Sequence, residues 1–256
     1  MTKHEDDVRL YLDGNLQFMS LDEQRYHEAL RYPIQQHFSG STSIPKILIL
    51  GGGDGLLVRT IKKYHPNYSG NIQLVELDPA MIQLAKENNT LATLNNHGLD
   101  NVSITNQDAY NYLIKHPEQY DAIICDFPDP RDIGLAKLYS KEIYSLIANH
   151  LTKEGIFVTH AGNAFFMREV FWTIHNTIKA TEQFSDILPY HSYIPSFGDR
   201  GFITGIKSGT INERNNNPLI QKTFDPDYLL TPTCINSLDT PCIIFEYQKG
   251  QKRFDM

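Results

Sequence analysis

Lys46-Ile47-Leu48-Ile49-Leu50-Gly51-Gly52-Gly53-Asp54-Gly55 decides the fold. Ile47 to Leu50 form a continuous apolar run, as expected of a strand buried on both faces. The glycines that follow permit positive φ and close approach of a ligand to the backbone. A helix is expected from there to about Tyr64. Working outward, Ile72 to Leu77 read as a second strand. Asp78-Pro79 opens a helix, with Asp78 as N-cap and Pro79 in the first turn. Val102 to Thr105 form a third strand, followed by a helix from about Asp108 to Lys115. Tyr120 to Cys125 form a fourth strand, ended by Asp126-Phe127-Pro128-Asp129-Pro130. Lys141 to His150 is helical, Gly155 to Thr159 is a strand, and Arg168 to Ala180 is helical again. Residues 190–194 and 201–206 read as the last two strands, around Pro195-Ser196-Phe197-Gly198. Strands alternating with helices mean βαβ units, so the fold class is α/β with a doubly wound, mostly parallel sheet.

This core, residues 46–206, is flanked by a short N-terminal segment, 1–45, and a C-terminal extension, 207–256. In the first, Leu10-Tyr11-Leu12 is a short strand and Asp13-Gly14-Asn15 is turn chemistry. A helix opens at Ser20 or Asp22, with Glu23 suited to a capping box behind Ser20, and Pro33 limits its end. In the extension, Lys207 to Asn217 is polar and loop-like. Phe224-Asp225-Pro226-Asp227-Tyr228 and the apolar run Cys242-Ile243-Ile244-Phe245 follow, and that run is expected to pack back on the core.

The 256 residues carry 23 Lys+Arg against 30 Asp+Glu, a net charge of −7. That balance argues against a nucleic-acid binder, which needs a basic face. Cys125, Cys234 and Cys242 are odd in number and widely spaced, so neither a disulfide framework nor a metal knuckle is expected. The charged start, MTKHEDDVRL, has no apolar signal region, and no run approaches the ~20 residues of a membrane span. The expectation is a soluble, cytoplasmic protein.

In a doubly wound sheet, ligands bind beyond the carboxyl ends of the strands. Four consecutive ends carry acids: Asp54, Glu76, Asp108, and Asp126 with Asp129. Any one of them reads as an ordinary helix cap; together they read as one site. Glu76 lies 25 residues after Gly51, near the spacing at which a second-strand acid accepts ribose hydroxyls. Asp108 could accept from an adenine amino group. A dinucleotide loop needs a glycine where this chain has Leu56, and Asp54 would repel a pyrophosphate. A cationic ligand suits Asp54 better. An ordinary methyltransferase has an acid two residues before the first glycine; here that residue is Ile49. Asp126 and Asp129, three residues apart in a proline-stiffened turn, can hold or deprotonate an ammonium group. Trp172, Tyr139 and Tyr144 read as packing residues. His175 and His191 have no metal-ligand spacing, and no metal is expected.

At this point the sequence resembles the spermidine synthase family, the polyamine aminopropyltransferases, over about residues 10–206. Leu12-Asp13-Gly14-Asn15-Leu16-Gln17 is similar to the family's LDGxxQ, and Asp22-Glu23 with Tyr26-His27-Glu28 to its DE…YHE. Gly51 to Gly55 resembles GGGDG, Val75-Glu76-Leu77-Asp78 is similar to VELD, and Asp108-Ala109 to the adenine-side pair. Asp126 to Pro130 stands where the family has DxxDP, and Gly201-Phe202 follows a proline-containing loop as it does there. Some positions depart. Phe127 and Pro128 replace small polar residues, and Asp132-Ile133 stands where a Gly-Pro pair is usual. His160 takes the place of a Gln, and the late loop is short. Tyr193 and Phe197 compete for the acceptor-side aromatic position, and only eleven residues precede Leu12.

The resemblance implies a Rossmann-like, methyltransferase-type sheet, a shortened N-terminal domain and a homodimer. It implies transfer of the aminopropyl group of decarboxylated S-adenosylmethionine, a co-substrate, to putrescine or a similar polyamine. The products would be spermidine and methylthioadenosine, with no tightly bound cofactor. Carried over, Gln17, Gly51, Gly53, Asp54, Glu76, Asp108 and Ala109 would hold the donor. Tyr26, His27, Asp54, Asp129, His160 and Tyr193 would face the acceptor, and Asp126 would be the base. Two other readings stay open: a methyltransferase on the same scaffold, against which Ile49 argues, and a non-catalytic protein that binds nucleosides or polyamines.

Overall fold

The structure is a computed structural model that describes residues 1–211, 220–221 and 233–252. The chain opens with β1 (Thr2–His4), β2 (Asp7–Leu12) and β3 (Asn15–Met19), a three-stranded antiparallel sheet larger than the single short strand expected. Asp13 and Gly14 join β2 to β3 with φ of 50° and 78°, the two positive values of the tight turn that suits strand twist. Val8, Leu10 and Phe18 bury one face of this sheet against the main core.

The first helix, α1 (Glu23–His37), opens at Asp22, one of the two starts expected, but without the expected capping, and it runs past its expected end. Ser20 does not cap it: its Oγ accepts from Val8 N at 2.8 Å. Asp22 occupies the N-cap position, but its carboxylate accepts from Ser196 N and Oγ at 2.6 and 2.9 Å. Glu23 turns toward His27 and Arg59 instead of closing a capping box. Pro33 does not end the helix. A proline withholds the N–H that the carbonyl four residues earlier would accept. That carbonyl, Ala29 O, takes the Tyr190 hydroxyl at 2.8 Å.

The alternating order follows as read, with α4 and α6 added and β9 and β10 starting earlier than expected: β4 (Ile47–Gly51), α2 (Leu56–Tyr64), β5 (Ile72–Glu76), α3 (Pro79–Glu87), α4 (Asn89–Leu94), β6 (Ser103–Asn106), α5 (Ala109–Lys115), β7 (Tyr120–Asp126), α6 (Ile133–Ala136), α7 (Lys141–His150), β8 (Leu151–Asn163), α8 (Arg168–Lys179), β9 (Asp186–Ile194) and β10 (Gly198–Ile206). The seven-stranded sheet has the order β6-β5-β4-β7-β8-β10-β9. Its first five strands are parallel, and β10 is antiparallel to both β8 and β9. The chain winds outward from β4 to β6, then returns beside β4 to start β7. That reversal opens a crevice between β4 and β7, where ligands settle in such sheets. Ile47, Ile49 and Leu74 face one core layer, and Leu48, Leu50 and Val75 the other.

Two corrections concern the later chain. β8 is much longer than the five residues expected, so His160 lies inside it, opposite Phe202 of β10. The cysteines do form a disulfide: Cys234 bonds Cys242, eight residues on, and Cys125 is free and buried. The bridged loop is fixed by Asn236, which is fully buried. Its Nδ2 donates to Ala136 O at 2.9 Å, its N donates to Thr177 Oγ1 at 2.9 Å, and its carbonyl accepts from Lys141 N at 2.8 Å. The apolar run beginning at Cys242 then packs back as expected, in α9 (Ile243–Lys252), with Ile243 and Tyr247 in the core. Phe224 to Tyr228 lies outside the described residues, as does Lys207 to Asn217 beyond Ile211. Among the described residues no helix is long and apolar enough to cross a membrane.

Candidate active site

The glycine loop is shaped by what it must pass. Gly51 and Gly52 have φ of 87° and 72°. A Cβ on Gly51 would lie 2.1 Å from Asp126 O, and one on Gly53 would lie 2.6 Å from Glu76 Cγ. The loop is therefore wedged between the ends of β5 and β7, with no room for side chains. Parallel pairing of Gly51 with Asp126 sets the register of this contact.

Each strand-end acid has a defined setting. Glu76 accepts from Gly53 N through Oε2 at 3.1 Å and from Asp78 N through Oε1 at 2.9 Å. Burial raises its pKa against those bonds. Each oxygen keeps a lone pair for a hydroxyl donor. Asp108 caps α5 by accepting from Asn111 N at 3.0 Å, and its other oxygen takes Lys137 Nζ at 2.7 Å. The capping reading of Asp108 thus holds alongside its place in the site. Asp54 accepts from Leu56 N at 2.9 Å. Burial raises its pKa to about 6; His27 opposes the shift and Asp126 adds to it.

Asp126 accepts from the Tyr26 hydroxyl at 2.7 Å. Burial and the Asp126 charge hold that phenol well above its usual pKa, so it stays a donor. Beside it, His27 Nδ1 is 2.7 Å from Glu23 Oε2, and Arg59 Nη2 meets the same oxygen at 2.8 Å. Burial works against a charged His27, but Glu23, with Asp54 and Asp126, outweighs it and the pKa is raised. Asp129, three residues after Asp126, lines the same cleft. Burial would raise its pKa, yet Arg200 and His160 together hold it well below the usual carboxylate range.

These groups open on one cleft of about 360 Å³. Gln17 enters from β3, Tyr26 and His27 from α1, and Gly51, Gly53 and Asp54 from the glycine loop. Glu76, Asp108, Ala109, Asp126 and Asp129 complete the wall. Two expected residues stand elsewhere. Tyr193 is 58 % exposed and outside the lining, and Phe197 lines the cleft instead. The strands β9 and β10 are joined at Pro195 to Phe197, and the turn swings Phe197, not Tyr193, toward Tyr26 at 6.4 Å between ring centres. His160 is buried behind the wall and acts on the cleft through lining residues, chiefly Asp129 and Arg200.

Arg131, Arg200 and Tyr247 are among the lining residues that escaped the sequence reading. Arg200 sits three residues after Phe197 and could have been suspected. Tyr247 carried no local signal, because only the packing of α9 brings it here.

The arrangement offers a cationic ligand carboxylates at one rim, with Asp126 and its phenol donor at the centre. A carboxylate so placed can take a proton from an amine.

Comparison with known proteins bears on family and fold. The spermine/spermidine synthase domain matches residues 23–217. A polyamine aminopropyltransferase of Oceanobacillus iheyensis is 44% identical over 205 residues, covering 79% of this chain and 39% of that protein. One of Leptospira interrogans is 34% identical over 269 residues, covering 99% of this chain and 52% of its own length. The chain thus spans between two fifths and about half of these curated relatives. Among solved structures, a spermidine synthase in complex with the transition state analogue AdoDATO superposes with a TM-score of 0.70 at 22% identity, over 96% of this chain and 81% of that one. The Thermotoga maritima spermidine synthase gives 0.69 at 22% identity, over 96% and 80%. These likenesses establish the methyltransferase-like fold.

Proposed function

We propose that this chain, which belongs to the spermine/spermidine synthase domain family, moves the aminopropyl group of decarboxylated S-adenosylmethionine to a polyamine-type amine, putrescine or similar. The products are methylthioadenosine and, from putrescine, spermidine. The observation that carries the reading is Asp126, hydrogen-bonded by Tyr26 at 2.7 Å in a cleft that also holds Asp54 and Glu76.

The acceptor amine is protonated at neutral pH and must lose a proton before it attacks. Asp126 takes that proton, a contribution of ~10²–10⁴-fold. The nitrogen then forms a bond to the carbon beside the sulfonium. The carbon–sulfur bond breaks, and its electron pair leaves on sulfur as neutral methylthioadenosine. Holding the two partners in line supplies much of the remaining rate. Glu76, Asp108, Ala109 and Gln17 hold the nucleoside, and Asp54 meets the donor's ammonium. A donor that has lost its own carboxylate suits that acid. The proposal extends to a homodimer in the cytoplasm; light scattering at the monomer mass would remove the dimer.

The test is release of methylthioadenosine from decarboxylated S-adenosylmethionine with a panel of primary amines. No release with any of them overturns the reading. Asp126→Asn should cut turnover by ~10²-fold or more while methylthioadenosine still binds. A clear preference for S-adenosylmethionine over its decarboxylated form would point to methyl transfer instead.

A further inference from the structure

Glu23, His27 and Arg59 form a buried group apart from the strand-end acids. Glu23 and His27 are four apart on α1, so their side chains share one helix face. His27 Nδ1 is 2.7 Å from Glu23 Oε2, with the two side chains 3 % and 4 % exposed. Arg59, on α2, donates through Nη2 to Glu23 Oε1 and Oε2 at 2.9 and 2.8 Å. Its Nη1 donates to Leu94 O at 3.0 Å, which fixes the guanidinium in turn. The next residue, Asn95, donates through Nδ2 to Asp54 O at 2.9 Å. Neighbouring residues thus support both the glycine loop and the Arg59–Glu23 pair.

Burial would raise the Glu23 pKa, but His27 and Arg59 together lower it, so the carboxylate is ionised. An ionised carboxylate only accepts hydrogen bonds. His27 must therefore donate from Nδ1, and the bond that one ring nitrogen makes sets the state of the other. Nε2 makes no hydrogen bond among the described residues and is not sealed off from solvent. His27 lines the cleft together with Asp54 and Asp126. Of those two acids, Asp54 acts on it more strongly. An arriving ammonium drives off any second proton on the ring, since two cations at hydrogen-bond distance repel. What remains at Nε2 is an uncharged lone pair near Asp54.

We propose that Glu23, held by Arg59, is a positioning residue that fixes the tautomer of His27, so that Nε2 accepts a hydrogen bond from the ammonium of the donor's aminopropyl arm. The identity of that ammonium rests on the aminopropyl-transfer reading; the tautomer does not. The charge of Glu23 matters here, not only its shape. In Glu23→Gln, Arg59 bonds the amide oxygen, because a guanidinium has nothing to accept from the amide nitrogen. The amide N–H is then left to donate to Nδ1. The ring proton moves to Nε2, and an N–H meets the cation where a lone pair stood.

The experiment is calorimetry on the full chain with decarboxylated S-adenosylmethionine and with methylthioadenosine, which has no ammonium. Glu23→Gln should weaken the first by about tenfold or more and leave the second unchanged. Unchanged methylthioadenosine affinity certifies that the cleft still folds. His27→Gln puts an amide in place of the ring, with no tautomer to set. Adding Glu23→Gln to it should cost the donor no further affinity. Equal effects of Glu23→Gln on both ligands overturn the proposal, as does a loss that the double variant repeats in full. Nitrogen NMR of the unaltered protein, with His27→Gln identifying the signal, gives a reading that needs no Glu23 variant to fold. In the donor complex Nδ1 should carry the proton and Nε2 none; a protonated Nε2 overturns the proposal. Methylthioadenosine release with an amine is measured separately. If the unaltered protein releases none while the affinity ratio moves as stated, the transfer reading fails and the positioning by Glu23 stands.

Discussion

Asp54 accepts one backbone hydrogen bond, from Leu56, and otherwise faces His27 and the like charge of Asp126. Its pKa rises from 3.8 to about 6 because burial removes the charged form from water. A raised folded-state pKa means that stability is fully present below the unfolded value and is lost as pH rises through about 6. Asp54→Asn should therefore stabilise the empty protein at pH 8, by up to ~3 kcal/mol, and by about half as much at pH 5. Chemical denaturation at the two pH values checks this. A cationic donor needs the ionised carboxylate, so its affinity should climb as pH rises through about 6. Neutral methylthioadenosine should respond less; an equal response from both would remove Asp54 from the donor's ammonium. The acids were readable in the sequence because a strand end in a parallel sheet always points to one rim. Arg200 was not, and Phe197 stood level with Tyr193, since a bulge and a tight turn decide where these side chains aim.

Among the elements, α1 shows how a local rule yields to tertiary structure. Pro33 reads as a stop, yet the helix runs to His37. Tyr190, 161 positions from Ala29, supplies the donor that proline lacks. Nothing near Pro33 in the sequence announces that partner. Tyr190→Phe would leave Ala29 O buried and unsatisfied, at a cost of ~1–3 kcal/mol. The loss should appear as a lower denaturation midpoint, with hydrogen exchange concentrated in α1; a midpoint unchanged within error would show that the carbonyl has another partner. The strand β8 was under-read for a related reason. Lys153 and Glu154 look like loop, and His160 to Asn163 are polar or small. They belong to the strand because β7 pairs with its start and β10 covers its end. The βαβ core was legible because β4, β5 and β7 are apolar on both faces, a pattern few other structures allow.

Across the whole molecule, the disulfide between Cys234 and Cys242 and the buried Asn236 anchor the last described segment, and α9 then brings Tyr247 to the cleft. Counting the cysteines gave no hint of this, because a short loop eight residues apart is closed by packing, not by any pattern. Chain entropy gives such a crosslink ~2.5 kcal/mol. Cys234→Ser should lower the unfolding midpoint accordingly and speed exchange in α9. Unchanged exchange there would mean that Asn236 alone holds the helix. The cleft wall itself runs from Leu10 to Tyr247, almost the length of the chain, and borrows from both sheets, α1 and α9. Because the site draws on residues from nearly the whole described chain, occupancy is coupled to global folding. A nucleoside at a hundred times its dissociation constant should add ~2.7 kcal/mol to the unfolding of every element at once. Heating the protein with candidate compounds thus becomes a way to ask what it binds before any reaction is known.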